Sequence, residues 1–305
     1  MTQAPAYLDQ AYAAAMAGAG QAIALGACGG GLILRQVPGT DLRDAQAPYP
    51  FLVCRDWSQL AQDLDALPPD LVSVTAITDP FAQTTPEDLS RAFPHMVRPY
   101  KAHFVIDLTR PLESFADPHH LGCAGRALRR LEVGVVADPS VILPEWLRLY
   151  ANLVARHGIR GPARMTEAAF HHLLQVSHLT VFRAQWKGAT IGMILCLDDG
   201  TRAWFHLGAY DAEGYRRNAS YAIVRHAIGH FAAVGCQMMN IGAGAGAFGD
   251  GTDGLTAFKR GWASGTRMTY LCGRIHAPNA YARLVAQTKT GQSPYFPAYR
   301  TGEYD

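Results

Sequence analysis

The stretch Asn218 to Ala263, NASYAIVRHAIGHFAAVGCQMMNIGAGAGAFGDGTDGLTAFKRGWA, decides how the chain is read. Its apolar residues Ala222, Ile223, Ala227, Ile228, Phe231 and Ala232 recur at spacings of three and four, one face of a helix. Gly235 supplies a C-terminal stop, because glycine tolerates a positive φ. Gln237 to Ile241 has strand composition, and Gly242 opens a run of turn residues that reaches Gly254. The group Phe258-Lys259-Arg260-Gly261-Trp262 follows. Gly244 to Gly249 matches the letters of the G-x-G-x-x-G dinucleotide fingerprint. That fingerprint needs a helix opening on its last glycine, and Asp250-Gly251-Thr252-Asp253-Gly254 forbids one. No Gly-Lys-Ser/Thr follows these glycines, so a P-loop is excluded as well.

Composition bounds the function classes. The chain has 305 residues, 49% hydrophobic and 17% charged, with a formal net charge of +2. That describes one large or two medium globular domains and argues against a protein coated by nucleic acid. No apolar run approaches a membrane span, and the N-terminus lacks a basic region before its alanine-rich segment, so a cytoplasmic protein is expected. The six cysteines are scattered, no pair closer than 26 residues in sequence, which speaks against a zinc site and for buried, reduced thiols. Neither a metal nor a resident cofactor is expected. Only four of the 27 basic residues are lysines, namely Lys101, Lys187, Lys259 and Lys289. A lysine inside a tight aromatic motif stands out against that arginine bias.

The rest of the chain reads as alternating helix and strand. Tyr7 to Met16 is a first helix, Gln21 to Gln36 a hairpin, Leu60 to Leu67 a short helix and Leu71 to Thr75 a strand. A boundary falls near Pro99. Beyond it His103 to Leu108 is a strand, followed by a helix running through Arg130. Helices over Pro144 to Arg156 and Met165 to Gln175 come next, the latter capped by Thr166. Leu179 to Arg183, Ala189 to Leu197 and Ala203 to Ala209 form an antiparallel meander turned at Lys187-Gly188 and Asp198-Asp199-Gly200. Arg126, Arg129 and Arg130 share one helical face, and Arg216-Arg217 sit in the turn before Asn218.

The order helix, strand, glycine-rich turn and Phe-Lys-x-Gly-aromatic resembles the second acyltransferase-like domain of the FemAB family, aminoacyltransferases with two GNAT-like halves. Asp44-Ala45-Gln46-Ala47-Pro48-Tyr49-Pro50 resembles an Asp-Ala-x-Ser-Pro-Tyr-Gly stretch of such proteins, with Ala47 and Pro50 departing from it. The arginine-rich helix His120 to Arg130 and the ending Phe296-Pro297-Ala298-Tyr299-Arg300 are similar too. The resemblance implies an α/β fold of two GNAT-like domains, residues 1–99 with 271–305 packing back, and residues 100–270. It implies an aminoacyl- or acyltransferase in which a substrate amine attacks an activated acyl donor, with aminoacyl-tRNA as the expected donor and an amine-bearing small molecule or peptide as acceptor.

Coenzyme A enzymes of the GNAT type hold pyrophosphate on a Gln/Arg-x-x-Gly-x-Gly/Ala turn at a helix N-terminus. Here that turn reads Arg216-Arg217-Asn218-Ala219-Ser220-Tyr221, with side chains where close approach needs glycine. An acyl-CoA or carrier-protein donor is thus an alternative reading, and a catalytically inert partner-binding module another. By the same resemblance Lys259 is the catalytic cation. Arg164, Phe258, Asn218, Tyr221, His206, Asp44 and Tyr49 are expected to bind substrate. Arg126, Arg129, Arg130, Arg216 and Arg217 are expected to meet phosphate or RNA. Asp211, Asp250 and Asp253 are the acids near the groove, and no general base is evident among them.

Overall fold

The computed structural model of the chain describes residues 6–161, 164–244 and 253–303. Its elements in chain order are α1 (Gln10–Met16), β1 (Gln21–Ala24), β2 (Gly31–Gln36), β3 (Arg43–Gln46), α2 (Leu60–Asp65), β4 (Leu71–Ile77), α3 (Pro86–Ala92) and β5 (Met96–Asp107). Then come α4 (Pro118–Leu128), β6 (Glu132–Val135), α5 (Leu143–His157), α6 (Glu167–Leu173), β7 (Leu179–Trp186), β8 (Ala189–Asp198) and β9 (Arg202–Tyr210). The last are α7 (Ala212–Arg216), α8 (Ala219–Ala233), β10 (Met238–Gly242), α9 (Gly254–Arg260), β11 (Gly265–Ile275) and α10 (Pro278–Thr288). The fold is mixed α/β.

Two compact units divide the chain. The N-terminal unit comprises Tyr7–Lys101, Arg160–Leu173 and the chain from Met268 on; the central unit holds Ala102–Ile159 and Leu174–Arg267. In the N-terminal unit β1, β2 and β3 pair antiparallel, β3 lies parallel to β4, and β4 pairs antiparallel with β11. Leu32, Leu60, Leu64, Leu71, Val74 and Phe93 pack as its core. Thr85 and Asp88 form a capping box at the start of α3, with Pro86 in the first turn.

In the central unit β5 pairs antiparallel with β10, β10 runs parallel to β9, and β9, β8, β7 and β6 follow antiparallel. The tight β7–β8 turn uses two positive φ angles, 51° at Lys187 and 76° at Gly188, which match the strand twist. Helix α8 buries Ala219, Ala222, Ile223, Val224, Ala227, Ile228 and Phe231, and Ala232, expected on the same face, is exposed. Its partners are α4 and the apolar side chains Phe182, Ile191 and Ile194. The chain leaves α8 through Gly235 at φ 93°.

Several expected boundaries move. The helix expected to run through Arg130 ends at Leu128, because buried Leu131 already leads into β6, a strand too short to show a period. The strand expected over His103 to Leu108 is β5, which begins earlier, at Met96, and contains Pro99. The helix expected over Leu60 to Leu67 stops at Asp65, and that over Met165 to Gln175 spans Glu167–Leu173. Thr166 caps the latter through its Oγ1, 3.2 Å from the Ala169 N–H. Gly254, expected to close a turn, opens α9, because Asp253 ahead of it accepts the Thr256 N–H and so starts a helix. The fingerprint-like glycines after Gly244, and Asp250, lie outside the described residues.

Candidate active site

In the central unit the parallel strands β9 and β10 pair only from Arg202 to Trp204 against Met238 to Asn240. Strand β9 continues to Tyr210 while β10 bends at a bulge between Asn240 and Gly242. The buried Asn240 holds that bend, its Oδ1 accepting the Gly242 N–H at 2.9 Å and lying 3.2 Å from His103 Nδ1. Parting of parallel strands at their carboxyl ends is where open α/β sheets bind ligands.

Helix α9 is seated on this bend. Gly242 has φ 83°, and a Cβ there would lie 2.7 Å from Lys259 Nζ. A Cβ on Gly244 would lie 2.1 Å from Thr256 Oγ1. Both glycines therefore let α9 approach the β10 backbone. Lys259 Nζ donates to the Ala243 carbonyl at 2.6 Å, so the ammonium is held at the mouth of the parted strands.

The remainder of the motif forms a clamp with α4. His120, 8% exposed, places Nε2 3.0 Å from the Phe258 carbonyl. Gly261 has ordinary helical angles, yet a Cβ on it would fall 2.3 Å from the His120 ring. Its missing side chain is the space the imidazole fills. The Asp117 N–H donates to the Gly261 carbonyl at 2.8 Å, tying the start of α4 to the end of α9. Trp262 is fully buried beneath, its ring meeting His120 edge-on at 5.4 Å between centroids. Tyr221 of α8 closes the cluster, with ring centroids 5.0 Å from both His120 and Phe258. Burial holds the His120 pKa below the ordinary imidazole value and pushes the Tyr221 phenol up.

The other expected residues fall in several places. Asn218 precedes α8 in the left-handed region, φ 58°, a conformation asparagine tolerates; no side-chain cap bond is made. The Ala219 methyl is buried in the core. Arg126, Arg129 and Arg130 are exposed, but only Arg126 is helical; Arg129 is the C-cap and Arg130 follows it. Arg216 and Arg217 are both paired with Glu213, and the Arg217 guanidinium stacks 3.6 Å from the Trp186 centroid, so their charge serves the local fold. His206 is a buried core histidine whose pKa is lowered to about 4 by burial. Asp211 and Asp253 cap α7 and α9, and Asp211 also pairs with Arg148 at 3.1 Å.

Three expected substrate residues belong to the N-terminal unit. Asp44 is 1% exposed and committed to Arg300 at 2.6 and 2.9 Å and to the Tyr299 hydroxyl at 3.0 Å; it holds the fold rather than a ligand. Tyr49 is exposed, and its carbonyl accepts the Tyr12 hydroxyl. Arg164 is exposed, with its N–H on the Gly161 carbonyl.

Sequence reasoning missed His119, His120 and Cys123. The available signal was the pair His119-His120 at a Pro118-initiated helix start, one turn ahead of a cysteine. Among the described residues no cluster of three or more histidine, cysteine or acidic side chains could hold a metal ion. None of the described helices is long and apolar enough to cross a membrane.

Residues 122–260 match the acetyltransferase (GNAT) domain family. They run from inside α4 through Lys259, so they contain Tyr221, Phe258 and the parted strands. Among solved structures, FemX shares 12% identity at a TM-score of 0.65, covering 90% of this chain and 93% of its own. The C-terminal domain (DUF2156) of a candidate lysylphosphatidylglycerol synthetase from Agrobacterium fabrum shares 17% at a TM-score of 0.63, covering 92% of each chain. L-PGS from Bacillus licheniformis shares 12% at 0.59, covering 95% of this chain and 94% of its own. No curated protein sequence matches the chain. At such identities the structural likeness speaks for the fold. The matched domain, over residues 122–260, speaks for a transferase. The resemblance to FemAB-like proteins stands at the level of fold.

Proposed function

We propose that this protein forms an amide bond by passing an aminoacyl group from aminoacyl-tRNA to a primary amine on a small molecule or peptide. The observation that carries this reading is the fixed ammonium of Lys259, held on the Ala243 carbonyl at the carboxyl ends of β9 and β10. Attack of an amine on an ester builds a tetrahedral oxyanion, and a preorganised cation stabilises it without reorganising at the moment of reaction. The exposed guanidinium groups of Arg126, Arg129 and Arg130, on and just beyond α4, supply charge for the phosphates of a nucleic-acid donor. Phe258 and Tyr221 wall the site, and Asn218 is a further candidate contact; Arg164 and Tyr49, exposed on the N-terminal unit, are candidate substrate contacts of that unit. We propose also that each unit is one GNAT-like half, with the boundary near Pro99 and the segment after residue 270 returning to the first half.

The test is a donor comparison under one assay: charged tRNA, an aminoacyl thioester and acetyl-CoA, each with a panel of amines. Transfer from charged tRNA, with no turnover from acetyl-CoA, is expected. Micromolar acetyl-CoA binding by calorimetry together with acetyl transfer would return the chain to the ordinary acetyltransferases.

A further inference from the structure

The solvent side of the α4 start carries a cluster of which the reading above uses Arg126 alone. Cys123 Sγ lies 3.4 Å from His119 Nε2, one helical turn back, and 3.2 Å from Arg126 Nη2, three residues on. A thiol with an imidazole in hydrogen-bond reach and a guanidinium against the sulfur has the parts of an activated nucleophile: a base to take the proton and a cation to favour the thiolate. The group stands beside the candidate site. His119 faces the Tyr221 ring with centroids 6.5 Å apart and neighbours His120, which binds the Phe258 carbonyl next to Lys259. Cys123 is 5% exposed, but both partners of its sulfur are exposed side chains. Rotamer changes of exposed side chains are fast, so a swing of either one opens the thiol.

We propose that Cys123 is an acyl-accepting nucleophile, and that transfer runs through a thioester on this residue. This rests on the acyl-transfer reading given above. In the first half-reaction His119 takes the thiol proton and the sulfur attacks the donor carbonyl carbon. A C–S bond forms, the ester C–O bond breaks, and the leaving alkoxide takes the proton from His119. In the second the acceptor amine attacks the thioester carbon. A C–N bond forms, the C–S bond breaks, the amine proton passes to His119 and the thiolate of Cys123 is restored. No oxidant or reductant takes part. Arg126 steadies the thiolate in both halves. The other five cysteines are buried and have no comparable set of partners described, with burial holding Cys236 and Cys272 thiols up near about 12.

Two measurements on the whole protein test this. First, iodoacetamide labelling followed by peptide mapping should modify Cys123 ahead of the other cysteines, and His119→Gln should slow that labelling. A folded protein in which Cys123 resists alkylation while other cysteines react overturns the proposal. Second, wild type mixed with an aminoacyl N-acetylcysteamine thioester, or with charged tRNA, and quenched in acid should carry the acyl mass on the Cys123 peptide. The adduct should vanish when an amine is added. Cys123→Ser should give no thioester, and His119→Gln should lower turnover by about a hundredfold or more, each with an unchanged melting temperature. Turnover in wild type without any adduct overturns the relay and leaves the transferase reading intact. Absence of both turnover and adduct overturns both.

Discussion

Lys259 is a lysine on an arginine-rich protein, and its ammonium donates to a backbone carbonyl, that of Ala243. A cation that served only to hold the fold would be replaceable by arginine. If it meets a developing oxyanion, Lys259→Ala should cost about a hundred- to a thousandfold in turnover, the range for losing one such donor. Lys259→Arg should rescue poorly, since a planar guanidinium does not fit where a compact ammonium lies against Gly242. Initial rates and melting temperatures of both variants check this; full activity in a folded alanine variant would remove the catalytic role. The lysine was legible because its residue type is scarce in this chain. His120 was not, for the space that admits its ring is made by Gly261, a position with ordinary helical angles. A glycine present for room rather than for backbone freedom leaves no local signature in a sequence.

At the scale of elements, legibility followed the length of the periodic signal. The long helix α8 and the meander β7 to β9 declared themselves through spacing and turn residues. The four-residue strands β3 and β6 are shorter than a readable period, and α9 was hidden behind glycines that look like loop. Those glycines carry the element-scale prediction. Gly242→Ala introduces a Cβ 2.7 Å from Lys259 Nζ at a φ of 83°. The ammonium has to move, so this change of one methyl should lower turnover nearly as far as Lys259→Ala. A strained left-handed alanine costs about 1 kcal/mol of stability, readable by urea unfolding beside the rate. Unaltered kinetics would mean that the seat of α9 on β10 does not govern the site.

The whole molecule adds two expectations on stability. In the N-terminal unit the buried pair Asp44–Arg300 ties β3 to the segment after α10, with Tyr299, Arg35 and Glu303 completing the network. Removing one partner strands the other charge, so Asp44→Ala should cost about 3–5 kcal/mol in urea unfolding; a loss under 1 kcal/mol would mean that the pair hardly supports the unit. Acid should weaken both units. Burial holds His206, in the central unit, and His276, in the N-terminal unit, at about 4. Each is neutral when folded and takes up a proton near the ordinary imidazole value when unfolded. Above that value neither form is charged and there is no effect. Between it and about 4 only the unfolded chain binds the proton, so stability falls as pH falls, by about 1.4 kcal/mol per pH unit for each histidine. Unfolding curves at several pH values should show that slope, and His206→Gln should flatten it; an identical slope in the variant would exclude His206 as a source.

The composition of the N-terminal unit has a consequence for biosynthesis. The central unit is complete in sequence by Arg267, whereas its companion needs both Tyr7–Lys101 and the chain beyond Met268. On the ribosome, strand β4 waits for β11, and Asp44 waits for Arg300, through the translation of more than half the protein. At about 5–20 residues per second that delay lasts on the order of ten seconds or more. During it, a half-built sheet and an unpaired carboxylate stand open to chaperones and to neighbouring nascent chains.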